Sequence, residues 1–521
     1  MINMRFVPYW IQRKWQGFSE IISEEIALPK CYAMMQSGKP LTIAYFGNID
    51  IAKARIALKN ICAIETHWEN LQGVEDLASK TYDLAIAGKD IVFQIRQQYP
   101  YIECIALQRI INYKVAYIDT ELFSGCVEKE KILLDAFAEL FLRLKENEEN
   151  RMKWTKFQNV PDFEEVRFQG LPNHIKAGYL LTAVNGNKRK TFCFYGVPKE
   201  GALGGNPAVV LVHGAGGNAF YRWVDEWTKR GYAAISIDIN CTKFENEDLE
   251  HRVKNEDAGE LNIAGFNHLL KNPKDSWIYY SVSQIISANS FMRAQPFVDE
   301  TRIGLVGISW GGVVSLIALS ADQRFRLGSI IYSAGFITED KLGEETGIFE
   351  DYEKKRFYDS FFDARNYVKD ISVPILFHSG LQDGAFTPFS RQRCCDLMTN
   401  EKHFALTKEL YHDNESNFVN ENVISFFDDC CFGKQKRAKV EFILQDDLIA
   451  FTSDKEVERV VLCYVDETYI PHKTPWQELE GEADGKSGKV KIPTAATAYI
   501  CTVYYGEGLY TSSKLYRRKN Q

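Results

Sequence analysis

The residues best able to do chemistry are a serine, an aspartate and a histidine, met in that order, each at the end of an apolar run. Ser309 lies in Gly307-Ile308-Ser309-Trp310-Gly311-Gly312, between the β-type run 301–308 and the helix-like run 313–319. Strand, tight turn and helix are the setting in which Gly-x-Ser-x-Gly holds a nucleophile on a strained turn. Gly307 and Gly311, without side chains, let strand and helix approach closely there. A hydroxyl is a poor nucleophile at neutral pH; it needs a base, and the base needs an acid to orient it. Asp383 follows the apolar run 374–378, and His412 follows the run 404–411. Ser309 is therefore expected as nucleophile, His412 as base and Asp383 as orienting acid. Asp413 competes for the acid, although a sequence neighbour faces its own base badly. His378 competes for the base, but it ends the strand before Asp383 and is expected to pack.

Attack on a carbonyl also needs donors where the oxyanion forms. The N–H of Trp310, directly after the nucleophile, is one. The other is expected from Gly214 or Ala215, in the glycine-rich stretch His213-Gly214-Ala215-Gly216-Gly217 that follows the buried run 207–212. The side chain of His213 is expected to brace that loop. This chemistry calls for no cofactor and no metal. Glu65 and His67 are too few for a metal site, and no Gly-x-Gly-x-x-Gly follows the first strand.

The elements that must position these residues divide the chain in three. Strand-like runs at 41–47, 61–64, 82–87 and 102–107 alternate with helical stretches at 51–58 and 128–145. They predict a small doubly wound α/β accessory domain over 1–150. The second segment, 151–433, opens with antiparallel strands at 163–168, 175–184 and 191–197, the last two joined through Asn185-Gly186-Asn187. Parallel strands at 207–212, 232–239, 301–308, 328–332, 374–378 and 404–411 follow, with helices at 219–230, 277–293 and 417–427. A polar excursion, 240–274, and an insertion, 337–373, interrupt them. From 434 to 521 short strands at 440–443, 448–452, 459–465, 489–492 and 498–505 predict a β-sandwich of immunoglobulin-like size.

With 521 residues, 45% hydrophobic and 25% charged, the chain has the composition of a globular protein of two or three domains. A formal charge of −8 argues against a nucleic-acid or anionic-membrane partner. The N-terminus lacks a signal-like apolar core, and no run approaches a membrane span. The twelve cysteines show no C-x-x-C spacing, which suits buried thiols in a reducing compartment. A cytoplasmic location is expected.

Residues 160–432 resemble α/β-hydrolases of the acetylxylan esterase and dienelactone hydrolase-like group. The resemblance is carried by Val209-Val210-Leu211-Val212-His213-Gly214, by Val298-Asp299-Glu300-Thr301-Arg302-Ile303-Gly304 leading into the Ser309 motif, and by 374–383. It implies a serine esterase fold with Ser309, Asp383 and His412 as the triad. Two departures keep the substrate open: the Arg-Gly-Gln and His-Glu motifs of typical deacetylases are absent, Asp413 following His412, and dienelactone hydrolases carry cysteine where this chain has Ser309. The expectation is a carboxylic ester hydrolase acting on a small-molecule or carbohydrate ester, with deacetylation of a carbohydrate favoured. An oligopeptidase-like amide hydrolase, a binding or assembly protein with a vestigial site, and a homo-oligomeric state stay open.

Overall fold

A computed structural model describes residues 40–46, 66–80, 82–88, 91, 94–95, 98–99, 102–111, 114–117, 154–184, 187–244, 252–257, 276–339, 358–359, 361–408, 410, 412–468, 474–506 and 508–518. The chain forms two compact units, Met1–Met152 with Lys355–Phe362, and Lys153–Lys354 with Asp363–Gln521.

The first unit holds one five-stranded sheet: β1 (Leu41–Tyr45), β2 (Thr66–Asn70), β3 (Leu84–Gly88), β4 (Glu103–Ile111) and β5 (Lys114–Tyr117), in the order β2-β1-β3-β4-β5. The β1–β2, β1–β3 and β3–β4 pairs are parallel, whereas β4 and β5 run antiparallel. The apolar runs of β1 and β3 are buried because both contribute to a cluster with Leu71, Val74, Leu77 and Tyr82. His67 sits exposed on β2. The expected strand 61–64, the helices 51–58 and 128–145, and Glu65 lie outside the described residues.

The second unit is built on a nine-stranded sheet. Its antiparallel wing is β6 (Asp162–Val166), β7 (Ile175–Val184) and β8 (Asn187–Gly196); β9 (Asn206–Val212) and β10 (Ala233–Ile237) follow. The excursion after β10 carries a small hairpin that periodicity did not suggest, β11 (Thr242–Phe244) with β12 (Arg252–Lys254). Then come β13 (Val298–Ile308), β14 (Leu327–Ile331), β15 (Ile375–Gly380) and β16 (Lys402–Thr407), giving the order β16-β15-β14-β13-β9-β10-β8-β7-β6. Strands β16 to β10 are mutually parallel, and β10 meets β8 antiparallel. Every residue of β9 and β10 is buried, the reason these strands read as unbroken apolar runs.

The helices are α1 (Tyr221–Thr228), α2 (Trp277–Arg293), α3 (Trp310–Ala321), α4 (Pro388–Asp396) and α5 (Glu421–Phe432). Trp277 to Met292 are all buried, so α2 lacks a solvent face; Ser276 caps it by accepting the Tyr279 N–H. Two expected boundaries are corrected. Strand β16 stops at Thr407, which leaves His412 on a loop beyond its end. The last helix begins at Glu421, where the Asn420 side chain accepts the N–H groups of Asn422 and Val423, and closes at Gly433 in the left-handed region.

The C-terminal strands are β17 (Val440–Gln445), β18 (Leu448–Ser453), β19 (Val457–Val465), β20 (Gln477–Glu480), β21 (Glu482–Asp484), β22 (Ser487–Lys491), β23 (Ala498–Tyr505), β24 (Leu509–Ser512) and β25 (Tyr516–Arg517). They form two antiparallel sheets, β17-β18-β22-β21 and β20-β19-β23-β24 with β25 on β23. Alternation on β19 sends successive side chains to opposite faces. Val460 and Leu462 join Ile449, Phe451 and Val490 of the first sheet. Val461, Cys463 and Val465 instead join Leu381 and Leu406 of the nine-stranded sheet's side. The outer edge of β16 is closed by side chains: Ser512 Oγ accepts the Leu406 N–H at 2.8 Å, and Thr502 Oγ1 donates to the Leu406 carbonyl at 3.0 Å. Among the described residues no helix is long and apolar enough to cross a membrane.

Candidate active site

The site forms at the C-terminal ends of the parallel strands, where each strand delivers one loop. Ser309 connects β13 directly to α3 with φ 55° and ψ −123°, a region that L residues with a Cβ rarely adopt. Its N–H donates to Ile331 O at 2.9 Å, and its carbonyl accepts the N–H groups of Gly312 and Val313. Tyr332, just past β14, also has a positive φ, 32°. The two flanking glycines are required by close approach. A Cβ on Gly311 would run into the carbonyls of Val212 and His213, and one on Gly307 would meet Ser315 Oγ and the Gly311 carbonyl. The start of α3 is thereby pressed onto the end of β9.

His412 joins the other two residues. Its Nε2 lies 2.8 Å from Ser309 Oγ and its Nδ1 2.8 Å from Asp383 Oδ2. With an acid on Nδ1, the ring carries its proton there and leaves Nε2 as the acceptor for the serine O–H. The imidazole is flanked by Tyr332, stacked with centroids 4.5 Å apart, and by Phe386, nearly parallel at 6.3 Å. Asp383 has a fully buried carboxylate. Burial by itself would raise its pKa; the hydrogen bond and charge of His412, with the N–H groups of Phe386 at 2.9 Å and Ala385 at 2.7 Å on Oδ1, outweigh it and hold the carboxyl below its ordinary value.

The competitors are placed elsewhere. His378 is fully buried, its Nδ1 donating to Ala405 O at 3.1 Å and its Nε2 accepting from Asn420 Nδ2 at 2.7 Å. Burial, reinforced by the charge of Arg437, pushes it down to about 3, so it stays neutral. Asp413 follows His412 on the exposed loop, and its carbonyl accepts from the Tyr332 hydroxyl.

The 213–217 loop is held at both ends by hydrogen bonds. His213, fully buried and with its pKa lowered by that burial, donates from Nδ1 to Gly214 O at 2.7 Å and accepts the Ile239 N–H on Nε2 at 3.0 Å. The Gly217 N–H closes a turn on Gly214 O at 3.1 Å, with Gly216 at φ 72°. Asn240 Nδ2 and Arg252 Nη1 both donate to Gly217 O, at 2.9 and 3.0 Å. The loop abuts the nucleophile, since a Cβ on Gly214 would sit 2.9 Å from Ser309 Cβ.

One expectation is corrected here. Gly214 was a candidate oxyanion donor, but its N–H is taken by Asn414 Oδ1 at 2.8 Å. Ala215, exposed on the same turn, is the donor candidate that this contact leaves. Trp310 opens α3, a twelve-residue helix whose positive end faces the Ser309 side chain's position. Asn414, Tyr332, Phe386 and Arg252 were not singled out from sequence. None has a motif, and each reaches the site only through strand ends or a contact across some two hundred residues, as in Gly214–Asn414. Chemically, the arrangement can activate a hydroxyl and stabilise the imidazolium that results.

Residues 148–333 match the acetyl xylan esterase (AXE1) family, and residues 268–409 match the prolyl oligopeptidase family. Among solved structures, an acetyl xylan esterase from Paenibacillus sp. R4 aligns at 20% identity over 55% of this chain and 98% of that one, with a TM-score of 0.42. Acetyl xylan esterase 1 from Thermoanaerobacterium sp. JW/SL YS485 aligns at 17% identity over 55% and 97%, also at 0.42. A dienelactone hydrolase-type protein from Klebsiella pneumoniae subsp. pneumoniae MGH 78578 aligns at 14% over 49% and 99%, at 0.34. The family matches and the parallel sheet agree on an α/β-hydrolase-like fold for the central part of the chain, which is similar to the acetyl xylan esterase group.

Proposed function

We propose that the protein is a serine hydrolase that cleaves a carboxylic ester, with an acetylated carbohydrate as its favoured substrate. The observation that carries the reading is His412 bridging Ser309 Oγ and Asp383 Oδ2 at 2.8 Å each. In this reading Ser309 Oγ attacks the acyl carbonyl while Nε2 of His412 takes its proton. Asp383, held ionised, orients the ring and stabilises the imidazolium. The tetrahedral oxyanion is met by the N–H groups of Trp310 and Ala215. Collapse expels the alcohol, protonated by His412, and water then repeats the sequence on the acyl-enzyme. No cofactor enters the scheme. The match of residues 148–333 to acetyl xylan esterases supports the acetyl preference. The match of 268–409 to prolyl oligopeptidases favours a second reading, an amide hydrolase using the same three residues. The accompanying domain reading is a small α/β accessory domain over 1–150, the hydrolase over 151–433 and a β-sandwich over 434–521. The buried free thiols of Cys193, Cys394, Cys395 and Cys501 support a reducing, cytoplasmic setting.

Labelling by a fluorophosphonate, with the modified peptide mapped to Ser309, tests the nucleophile. A p-nitrophenyl ester series from acetate to octanoate, set beside aminoacyl-amide substrates, tests the chemistry. Ester turnover falling steeply beyond acetate is the expected outcome. Faster cleavage of the amides would transfer the assignment to the second reading, and an unlabelled Ser309 would end both.

A further inference from the structure

The contact between Asn414 and Gly214 has no place in a serine, histidine and aspartate scheme. We infer that Asn414 is a positioning residue: by accepting the Gly214 N–H, it locks the 213–217 turn against Ser309 with that amide turned away from the reacting centre, so that Ala215 is the donor the turn presents. The inference rests on the hydrolase reading above.

Both ends of the contact are fixed. On one side, Gly214 is buried and its carbonyl already accepts from His213 Nδ1 and the Gly217 N–H, so the turn moves as one piece with the Ala215 N–H. The far end of the turn is anchored by Asn240 and Arg252 on the Gly217 carbonyl. The Gly214 N–H is the point at which the turn is tied across to the facing loop. On the other side, the Asn414 carbonyl accepts the Asn417 N–H at 3.3 Å, and the neighbouring Asp413 carbonyl accepts from Tyr332 and from Asn417 Nδ2. The acceptor therefore comes from the same short segment that carries His412, two residues away.

The physical consequence is a coupling of two distances. The segment that sets His412 Nε2 against Ser309 Oγ also sets how the donor turn lies over the nucleophile. Without the Asn414 oxygen, a buried N–H would be left unmet, and the Gly214 peptide could turn to find another acceptor, carrying the Ala215 N–H with it. A displacement of the order of an ångström at a catalytic group costs about a hundredfold in rate. Since an oxyanion donor acts on the transition state and not on the bound ester, the loss should fall on kcat.

The test compares wild type with Asn414→Leu, similar in size and lacking the acceptor, and Asn414→Asp, which keeps an oxygen at the same atom. Rates with p-nitrophenyl acetate are read as kcat and KM separately, alongside the Ki of phenylboronic acid, which forms a tetrahedral adduct on an active serine, and the melting temperature. Asn414→Leu is expected to lose about 10- to 100-fold in kcat with KM within about threefold, and Ki should rise by a factor similar to the loss in kcat/KM. Asn414→Asp should recover part of that loss. Should Asn414→Leu melt early, Asn414→Ala removes the acceptor without new bulk and is held to the same expectation. A purely structural bond would lower the melting temperature while leaving kcat and the boronic acid Ki within about twofold; that result overturns the inference, as does a loss confined to KM or an Asp variant no better than Leu. Fluorophosphonate labelling of the wild type separates the layers. Absence of label on Ser309 removes the hydrolase reading itself, while a labelled wild type with unaffected variants removes only the role of Asn414.

Discussion

Replacing Ser309 by glycine should leave a protein without ester hydrolysis that is more stable than the alanine variant. The reasoning starts from the backbone: Ser309 stands at φ 55° and ψ −123°, a conformation that costs a residue with a Cβ about 1–3 kcal/mol. Its surroundings over-determine it. The N–H is tied to Ile331 O, the carbonyl to the first turn of α3, and Gly307 and Gly311 are closed on either side. Alanine and glycine both remove Oγ, its contact with His412 and the activity, so the comparison between them isolates the Cβ. Glycine relieves the strain but loses about 0.5–1 kcal/mol through its freer unfolded chain. The net gain of Ser309→Gly over Ser309→Ala is then about 0.5–2 kcal/mol. At about 2–4 °C per kcal/mol for a domain of this size, that is a few degrees in melting temperature. Scanning calorimetry or dye-monitored melting of both variants reads the difference, and p-nitrophenyl acetate assays should show at least about a 10⁴-fold loss for each. If Ser309→Gly melts at or below Ser309→Ala, the serine is not strained by its turn, and the physical account of the motif given above is wrong.

Two further outcomes follow from buried groups. His378 is held neutral with a folded pKa of about 3 against an ordinary value near 6.5; below pH 6.5 the unfolded chain takes up a proton that the native state refuses. Its contribution to stability is therefore complete above about pH 6.5 and is lost at about 1.4 kcal/mol per unit as pH falls toward 3. Urea denaturation at pH 7.5 and 5.5 should show His378→Gln weaker at the higher pH but less sensitive to acidification than wild type, and parallel losses in the two proteins would contradict this. At the sheet edge, Ser512→Ala removes the acceptor of the Leu406 N–H, which should cost about 1–3 kcal/mol of stability. KM for ester should stay unchanged, because Leu406 lies before the loop that carries His412; a variant as stable as wild type would show that the edge of β16 is satisfied in another way.

Much of the candidate site is legible in the sequence alone, because its signals are local. The motif around Ser309 needs only five residues and its flanks, since strand, turn and helix are set by near neighbours and by two glycines whose lack of a side chain is the requirement itself. The order of Ser309, Asp383 and His412 follows from apolar runs that must be buried parallel strands. The same local signals misplaced the end of β16, because Leu410 and Tyr411 resume an apolar pattern beyond the charged pair Lys408-Glu409, whereas the strand ends at Thr407, and they passed over β11, β12, β20 and β21, strands of three or four residues with mostly exposed side chains.

What tertiary structure alone decided is which partner each polar group takes. Two histidines lay at strand ends, but only His412 meets both Ser309 and Asp383, whereas the nitrogens of His378 are spent on Ala405 and Asn420. Two neighbouring amides, Gly214 and Ala215, were equivalent in sequence, and a side chain two hundred residues away separates them by taking one. Periodicity and motif report what a residue's own neighbours demand; a buried hydrogen bond is satisfied by whatever the fold brings within about 3 Å, and that distance exists only once the strands are assembled.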